Sequence, residues 1–97
     1  MAPYDPPTDK SYTALDVSGY DHNMLLCLIG KGGKGFYGIT RRLNIDYLWY
    51  DQYKRRIELW GDEHILDMGK SVHKLHRIVE SFSKKYVPRQ VNDEIPS

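Results

Sequence analysis

Gly30-Lys31-Gly32-Gly33-Lys34-Gly35 interrupts this 97-residue chain between two apolar segments. Met24-Leu25-Leu26-Cys27-Leu28-Ile29 lies upstream, and Phe36, Ile39 and Leu43 follow at helical spacing. Four glycines in six positions leave a backbone without Cβ atoms, so its amides can come close to another molecule. Lys31 and Lys34 add positive charge. The natural guest of such a loop is an anion, and the commonest biological anion with a chain attached is a phosphodiester.

Outward from the loop, Lys34 to Leu43 reads as a helix that places Phe36, Ile39 and Leu43 on one stripe, with Arg41 and Arg42 away from it. Gly35 and Gly38 each weaken that helix by ~1 kcal/mol relative to Ala. Their spacing points to a face that the preceding helix or a ligand approaches closely, and Asn44 supplies the stop. Before the loop, Asp21 is a good N-cap for a helix from His22 to Ile29, although Leu25–Ile29 alone fits a buried strand equally well. Ser11 to Ser18 alternates Thr13, Leu15 and Val17 against Tyr12, Ala14 and Asp16, which predicts a half-buried strand ended by Gly19.

Ile45 to Asp51 reads as a second strand, with Ile45, Tyr47 and Trp49 on the face that helices cover and Leu48 and Tyr50 on the other. Gln52-Tyr53-Lys54 connects it to a partner from Arg55 to Trp60, with Ile57 and Leu59 inward and Arg56, Glu58 and Trp60 outward. Gly61 closes this strand and Asp62 is placed to cap a long last helix. Ile65, Met68, Val72, Leu75, Val79 and Phe82, joined by Leu66 and Ile78, trace its apolar stripe, with Lys70, Lys74, Arg77 and Glu80 on the solvated side.

A chain of this length makes one small domain. Residues 1–10, with Pro3, Pro6 and Pro7, read as a disordered or extended arm, residues 11–87 as the folded unit and residues 88–97 as a flexible tail. Cys27 is the single cysteine, which excludes an intramolecular disulfide and a cysteine-based zinc cluster. No stretch has the layout of a signal peptide or the length of a membrane span, so the expected setting is intracellular, cytoplasmic or nuclear. The net charge of +1 is unevenly spread: −3 over residues 1–29, +5 over residues 30–56 and −1 over residues 57–97. A local basic field of this kind attracts polyanions.

With the elements placed, Ile29-Gly30-Lys31-Gly32-Gly33-Lys34-Gly35-Phe36-Tyr37-Gly38-Ile39 resembles the signature of the KH domain, an Ile-Gly-x-x-Gly-x-x-Ile-x-x-Ile pattern with Phe36 in the first later apolar slot. The order strand, helix, loop, helix, strand, strand, helix is similar to the type I arrangement. Ile57-Glu58-Leu59-Trp60-Gly61 resembles that family's third strand and closing glycine. The likeness covers about residues 11–84, and Leu43-Asn44-Ile45, where the family usually has Thr-Gly-Ala, marks a divergent member. The resemblance implies an α+β fold, a three-stranded antiparallel sheet with helices packed on one face. It also implies binding of about four nucleotides of single-stranded RNA or DNA. Gly30, Lys31, Gly32 and Gly33 would clamp phosphate, with Lys34 and the start of the second helix adding a favourable dipole. Bases would lie between that helix and the strand from Ile45 to Trp49. Tyr37 joins the binding set, Arg41 or Arg42 would reach bases or phosphates, and backbone near Tyr47 would read a Watson–Crick edge.

Other readings of the same residues fare worse. Gly30, Gly32 and Gly35 satisfy a dinucleotide fingerprint, but two adjacent strands follow instead of further βαβ units. A P-loop fails because Phe36 and Tyr37 stand where Lys-Ser/Thr is required. His22, His64, His73 and His76 lack a carboxylate or fourth ligand placed with them, so no metal is expected. Cys27 lies in an apolar run where thiols are inert, and neither an enzyme nor a cofactor is expected. The competing functional reading is an interaction module, a homodimer or a binder of another protein, that uses Leu48, Tyr50 and Trp60 as an exposed sheet patch.

Overall fold

The computed structural model describes residues 4–62 and 67–87. In chain order these form β1 (Ser11–Asp16), α1 (His22–Ile29), a 3-10 turn (Lys31–Gly33), α2 (Lys34–Leu43), β2 (Tyr47–Asp51), β3 (Arg56–Gly61) and α3 (Met68–Lys85). The result is a small α+β fold, a three-stranded antiparallel sheet with three α-helices.

Local chemistry sets most boundaries. The Asp21 carboxylate accepts from the Asn23 N–H at 2.8 Å and starts α1. Gly30 donates the last i→i−4 bond, to the Leu26 carbonyl, and its φ of 80° then turns the chain out of the helix. Asn44, at φ 57°, ends α2 in the left-handed conformation that asparagine tolerates. The last helix departs from expectation: its cap is Asp67, which accepts from the N–H groups of Gly69 (3.0 Å) and Lys70 (3.3 Å), and not Asp62. With this cap in place α3 begins at Met68. His64, Ile65 and Leu66, expected in its first turns, and the tail 88–97 lie outside the described residues.

β3 is the central strand, flanked by β1 and β2, both antiparallel to it. Leu15 and Tyr50 stand opposite Ile57, and Thr13 and Leu48 opposite Leu59. Ile57 and Leu59 are fully buried, and Met24, Leu25, Phe36, Ile39, Leu75 and Val79 close over them from the helices. Each such side chain contributes ~1.5–3 kcal/mol by leaving water. α3 lies over β1 and α2 along β2.

β2 presents the opposite faces from those expected. Leu48 and Tyr50 are buried in the core, whereas Tyr47 and Trp49 are half-buried on the outer face. The cause is a local irregularity: the Asp46 N–H donates to the Trp60 carbonyl, yet Tyr47 is the residue registered opposite Trp60. Two consecutive residues therefore address one, and the phase running from buried Ile45 slips by one residue.

The proline-rich arm closes that outer face. The Tyr4 ring lies 4.8 Å from the Trp49 ring and 6.0 Å from Trp60, and Tyr12 and Tyr47 flank Trp60 at 5.0 and 5.3 Å. Beneath them sits Glu58, 5% exposed. Its carboxylate accepts from Tyr4 Oη (3.1 Å), Tyr12 Oη (3.3 Å) and Arg56 Nε (3.1 Å). A buried carboxylate needs such donors to offset its lost hydration. The Asp5 N–H also donates to Tyr47 Oη at 2.8 Å. Residues 4–10 carry no regular structure, and Tyr4 and Asp5 bond to the sheet. The expected patch of Leu48, Tyr50 and Trp60 is not one surface: two of its members are core, and Trp60, 7% exposed, is covered by tyrosines.

Gly35 and Gly38 have different reasons. A Cβ at Gly35 would lie 2.0 Å from the Leu28 carbonyl oxygen and 2.9 Å from that of Ile29, so α1 crosses α2 at a distance that glycine alone permits. A Cβ at Gly38 would meet nothing within 4 Å. Gly35→Ala is therefore expected to lower stability by about 2 kcal/mol or more, and Gly38→Ala to raise it by up to ~1 kcal/mol. Chemical denaturation of both variants checks this, and equal effects would contradict the crossing argument.

Replacing Tyr4 by Ala should cost ~1–2 kcal/mol and shift tryptophan emission to the red as Trp49 and Trp60 meet water. Unchanged emission would show that the arm does not cover the sheet. Partial desolvation, followed by the hydrogen bond to Glu58, raises the Tyr4 phenol above its ordinary value; for Tyr12, desolvation again leads, followed by the Glu58 charge. A raised phenol stabilises the fold while protonated: the contribution is full below the unfolded value and is lost as pH rises through the folded one. Thermal midpoints should accordingly fall above about pH 10, and less steeply in Tyr4→Phe.

Candidate nucleic-acid interface

Apolar residues bring α1 to the loop and lift α2 away from it, and the loop backbone follows from that crossing. Gly30, Gly32 and Gly33 have φ of 80°, 65° and 82°, all in the range that disfavours side chains. Gly30 is doubly constrained, since a Cβ would come within 2.9 Å of the Gly35 nitrogen. Gly32 faces open space. Lys31 and Lys34 are exposed on the turn and on the first residue of α2.

Carboxylates cap α1 and α3, but no side chain caps α2, whose N-cap is Gly33. Its first turn carries no acidic residue. The positive end of this helix thus has no side-chain cap and is flanked by two lysines, an arrangement that favours an anion, although the N–H groups of Gly33 and Lys34 are turned back to the Gly30 and Lys31 carbonyls.

From the loop a narrow slot of about 100 Å³ runs between α2 and β2. Ile29 and Phe36 supply its apolar floor, Gly32 and Gly33 its loop end, and Tyr37 and Thr40 the helix wall. The other wall is formed by Asp46, Tyr47, Leu48, Trp49 and Tyr50 in succession. Side chains of a strand alternate between faces, so five consecutive residues line a slot only where it follows the strand edge. Among the described residues β2 is an edge strand, paired with β3 alone, so its other edge offers backbone donors and acceptors outside the ladder.

Tyr37 is 57% exposed and stands over the loop, its ring 3.6 Å from where a Gly33 Cβ would be. Thr40 is held by donating its hydroxyl to the Tyr37 carbonyl at 2.7 Å. Asp46 is the acid of the slot, and Lys10 of the arm sits 3.5 Å from its carboxylate and offsets its charge.

The residues singled out from sequence fall into three groups, apart from Arg41, which is exposed on α2 and lines neither the slot nor the depression between α2 and α3. Gly30, Lys31, Gly32, Gly33, Lys34 and Tyr37 gather at one end of the slot. Tyr47 reaches it by backbone, because its ring packs on Trp60 across the outer face. Arg42 lies elsewhere: two residues after Thr40 a helix has turned by about 200°, and Arg42 lines a different depression, between α2 and α3. Thr40 is a slot residue that the sequence motif does not single out, although its position seven residues after Gly33 sets it on the loop side of α2. Trp49, expected in the core, lies on the outer face against Tyr4 and reaches the slot at the strand edge.

The remaining candidates are dispersed. Cys27, within its apolar run, is exposed on α1. His22 Nδ1 is 2.9 Å from Tyr50 Oη and His76 Nε2 3.2 Å from Tyr20 Oη. Among the described residues no three His, Cys, Asp or Glu side chains stand together as a metal site, and no helix is long and apolar enough to cross a membrane. No family model matches the chain, and comparison with curated proteins and with solved structures returns no match.

Proposed function

We propose that this protein binds single-stranded nucleic acid in the slot between α2 and β2, in the manner of a divergent type I KH domain. One observation carries the reading: a lysine-flanked helix N-terminus without a side-chain cap and an unpaired strand edge face the same apolar-floored slot. A single strand alternates the two features that this pair complements, anionic phosphates on one side and flat bases with hydrogen-bonding edges on the other. The Lys31 and Lys34 side chains, at the positive end of α2, take the phosphates. Bases enter the slot over Ile29 and Phe36, Tyr37 offers an exposed ring for stacking, and the β2 edge pairs with base edges. A duplex is too wide and hides its base edges. The connectivity and the sheet order β1-β3-β2 support the KH-like reading.

The test is the double variant Lys31→Asp with Gly32→Asp. Gly32 has space around it and a left-handed backbone that aspartate tolerates, so the fold should survive with an unchanged circular dichroism spectrum. Affinity for short single-stranded RNA and DNA should drop by roughly tenfold or more, equivalent to about 1.4 kcal/mol. Wild-type binding should weaken with salt and move backbone amide resonances of residues 30–42 and 45–49. A variant that binds as wild type does, or shifts centred on other residues, would remove the slot as the site.

A further inference from the structure

The depression between α2 and α3 is larger than the slot, about 720 Å³. Arg42, Lys74, Arg77 and Lys85 line it around an apolar floor that includes Ile78 and Phe82, and no carboxylate is among its described lining residues. All four cations are exposed and enter no ion pair among the described residues. Three of them, Lys74, Arg77 and Lys85, lie on one side of α3, with Ser81 in the turn between the last two. Like charges crowded together without counter-charges repel one another, and a polyanion relieves that repulsion.

A second observation links this depression to the slot. Passing around α2 from Tyr37 at the slot, the outward positions are Arg41, Lys34 and Gly38, then Arg42 at the depression. All of these residues are exposed, and the path carries no acid. Gly38 lies in its middle, weakens the helix, and has no neighbour within 4 Å of a Cβ that would explain it. Its missing side chain lets a guest lie against the helix backbone between the three flanking cations.

We propose that a single-stranded nucleic acid seated in the slot continues over α2 at Gly38 and lays its next phosphates in the α2–α3 depression, giving a footprint well beyond four nucleotides. This rests on the nucleic-acid reading of the slot. An acidic peptide would satisfy the depression alone, but would leave Gly38 and the unbroken cationic path without a role. A phosphodiester chain uses both.

The experiment compares random-sequence RNA and DNA oligomers of about four and about ten nucleotides, with oligoglutamate as the competing polyanion. Wild type should bind the longer oligomers at least about tenfold more tightly than the shorter. In Lys74→Gln/Arg77→Gln/Lys85→Gln the advantage should vanish while short-oligomer affinity holds. The salt slope for the long oligomer should shrink by about 2, at ~0.7 for each phosphate that is no longer neutralised. Gly38→Gln should raise the thermal midpoint yet reduce long-oligomer binding, a combination that a purely structural glycine would not produce. Equal affinity for both lengths, or α3 amides that shift with oligoglutamate and not with the long oligomer, would overturn the extension and leave the slot reading standing. No binding at either length would remove both. RNA and DNA behaving alike would support recognition of phosphate and not of the 2′-OH.

Discussion

The loop and the slot both depend on how closely the end of α1 passes the start of α2. At Gly35 the two backbones approach until a Cβ would sit 2.0 Å from the Leu28 carbonyl oxygen. That contact forces the intervening residues outward as a tight left-handed turn and leaves the α2 N-terminus without a side-chain cap. It also settles Ile29 and Phe36 against each other as both core and slot floor. Loop glycines are therefore structural first: Gly30 and Gly35 are demanded by neighbouring backbone, and Gly33 by its φ of 82°. The ligand signal lies in what this geometry leaves uncovered, the uncapped helix and its lysines.

Helices were the legible part of the sequence, because their signals are local. α1 and α2 begin and end where Asp21, the glycines and Asn44 predict. The loop end of the slot was legible for the same reason, since contiguous residues specify it. What failed was the phase of β2. Its alternation runs through Ile45, Tyr47 and Trp49 without a visible break, and the slip depends on Asp46 bonding to Trp60 from another strand. No residue near Asp46 announces such a long-range bond. Arg42 shows the same limit: its helix position was clear, but α3, which makes that position a separate depression, follows some thirty residues later in the chain.

The arm is a similar case. Its prolines and aspartates read as solvated chain, and residues 4–10 lack regular structure. A single tyrosine changes its role, because Glu58 lies on the outer face of the sheet with more acceptor capacity than Arg56 alone satisfies. Tyr4 and Tyr12 complete that set, and their rings screen Trp60. Buried charge and exposed tryptophan would each be a liability on an open sheet face; the same few aromatic residues resolve both.

β2 consequently has each of its surfaces assigned. Leu48 and Tyr50 anchor it to the core, Tyr47 and Trp49 hold the arm, and one edge joins β3. The remaining edge would ordinarily invite pairing with a strand of another chain. An added strand carries side chains to both sides of the sheet, and on the inner side Tyr37 and Thr40 of α2 already occupy that space. A nucleotide base has no such requirement: it is flat and presents its polar groups in plane. The helix that narrows the slot thus excludes the commonest partner of a free strand edge while leaving room for a planar one.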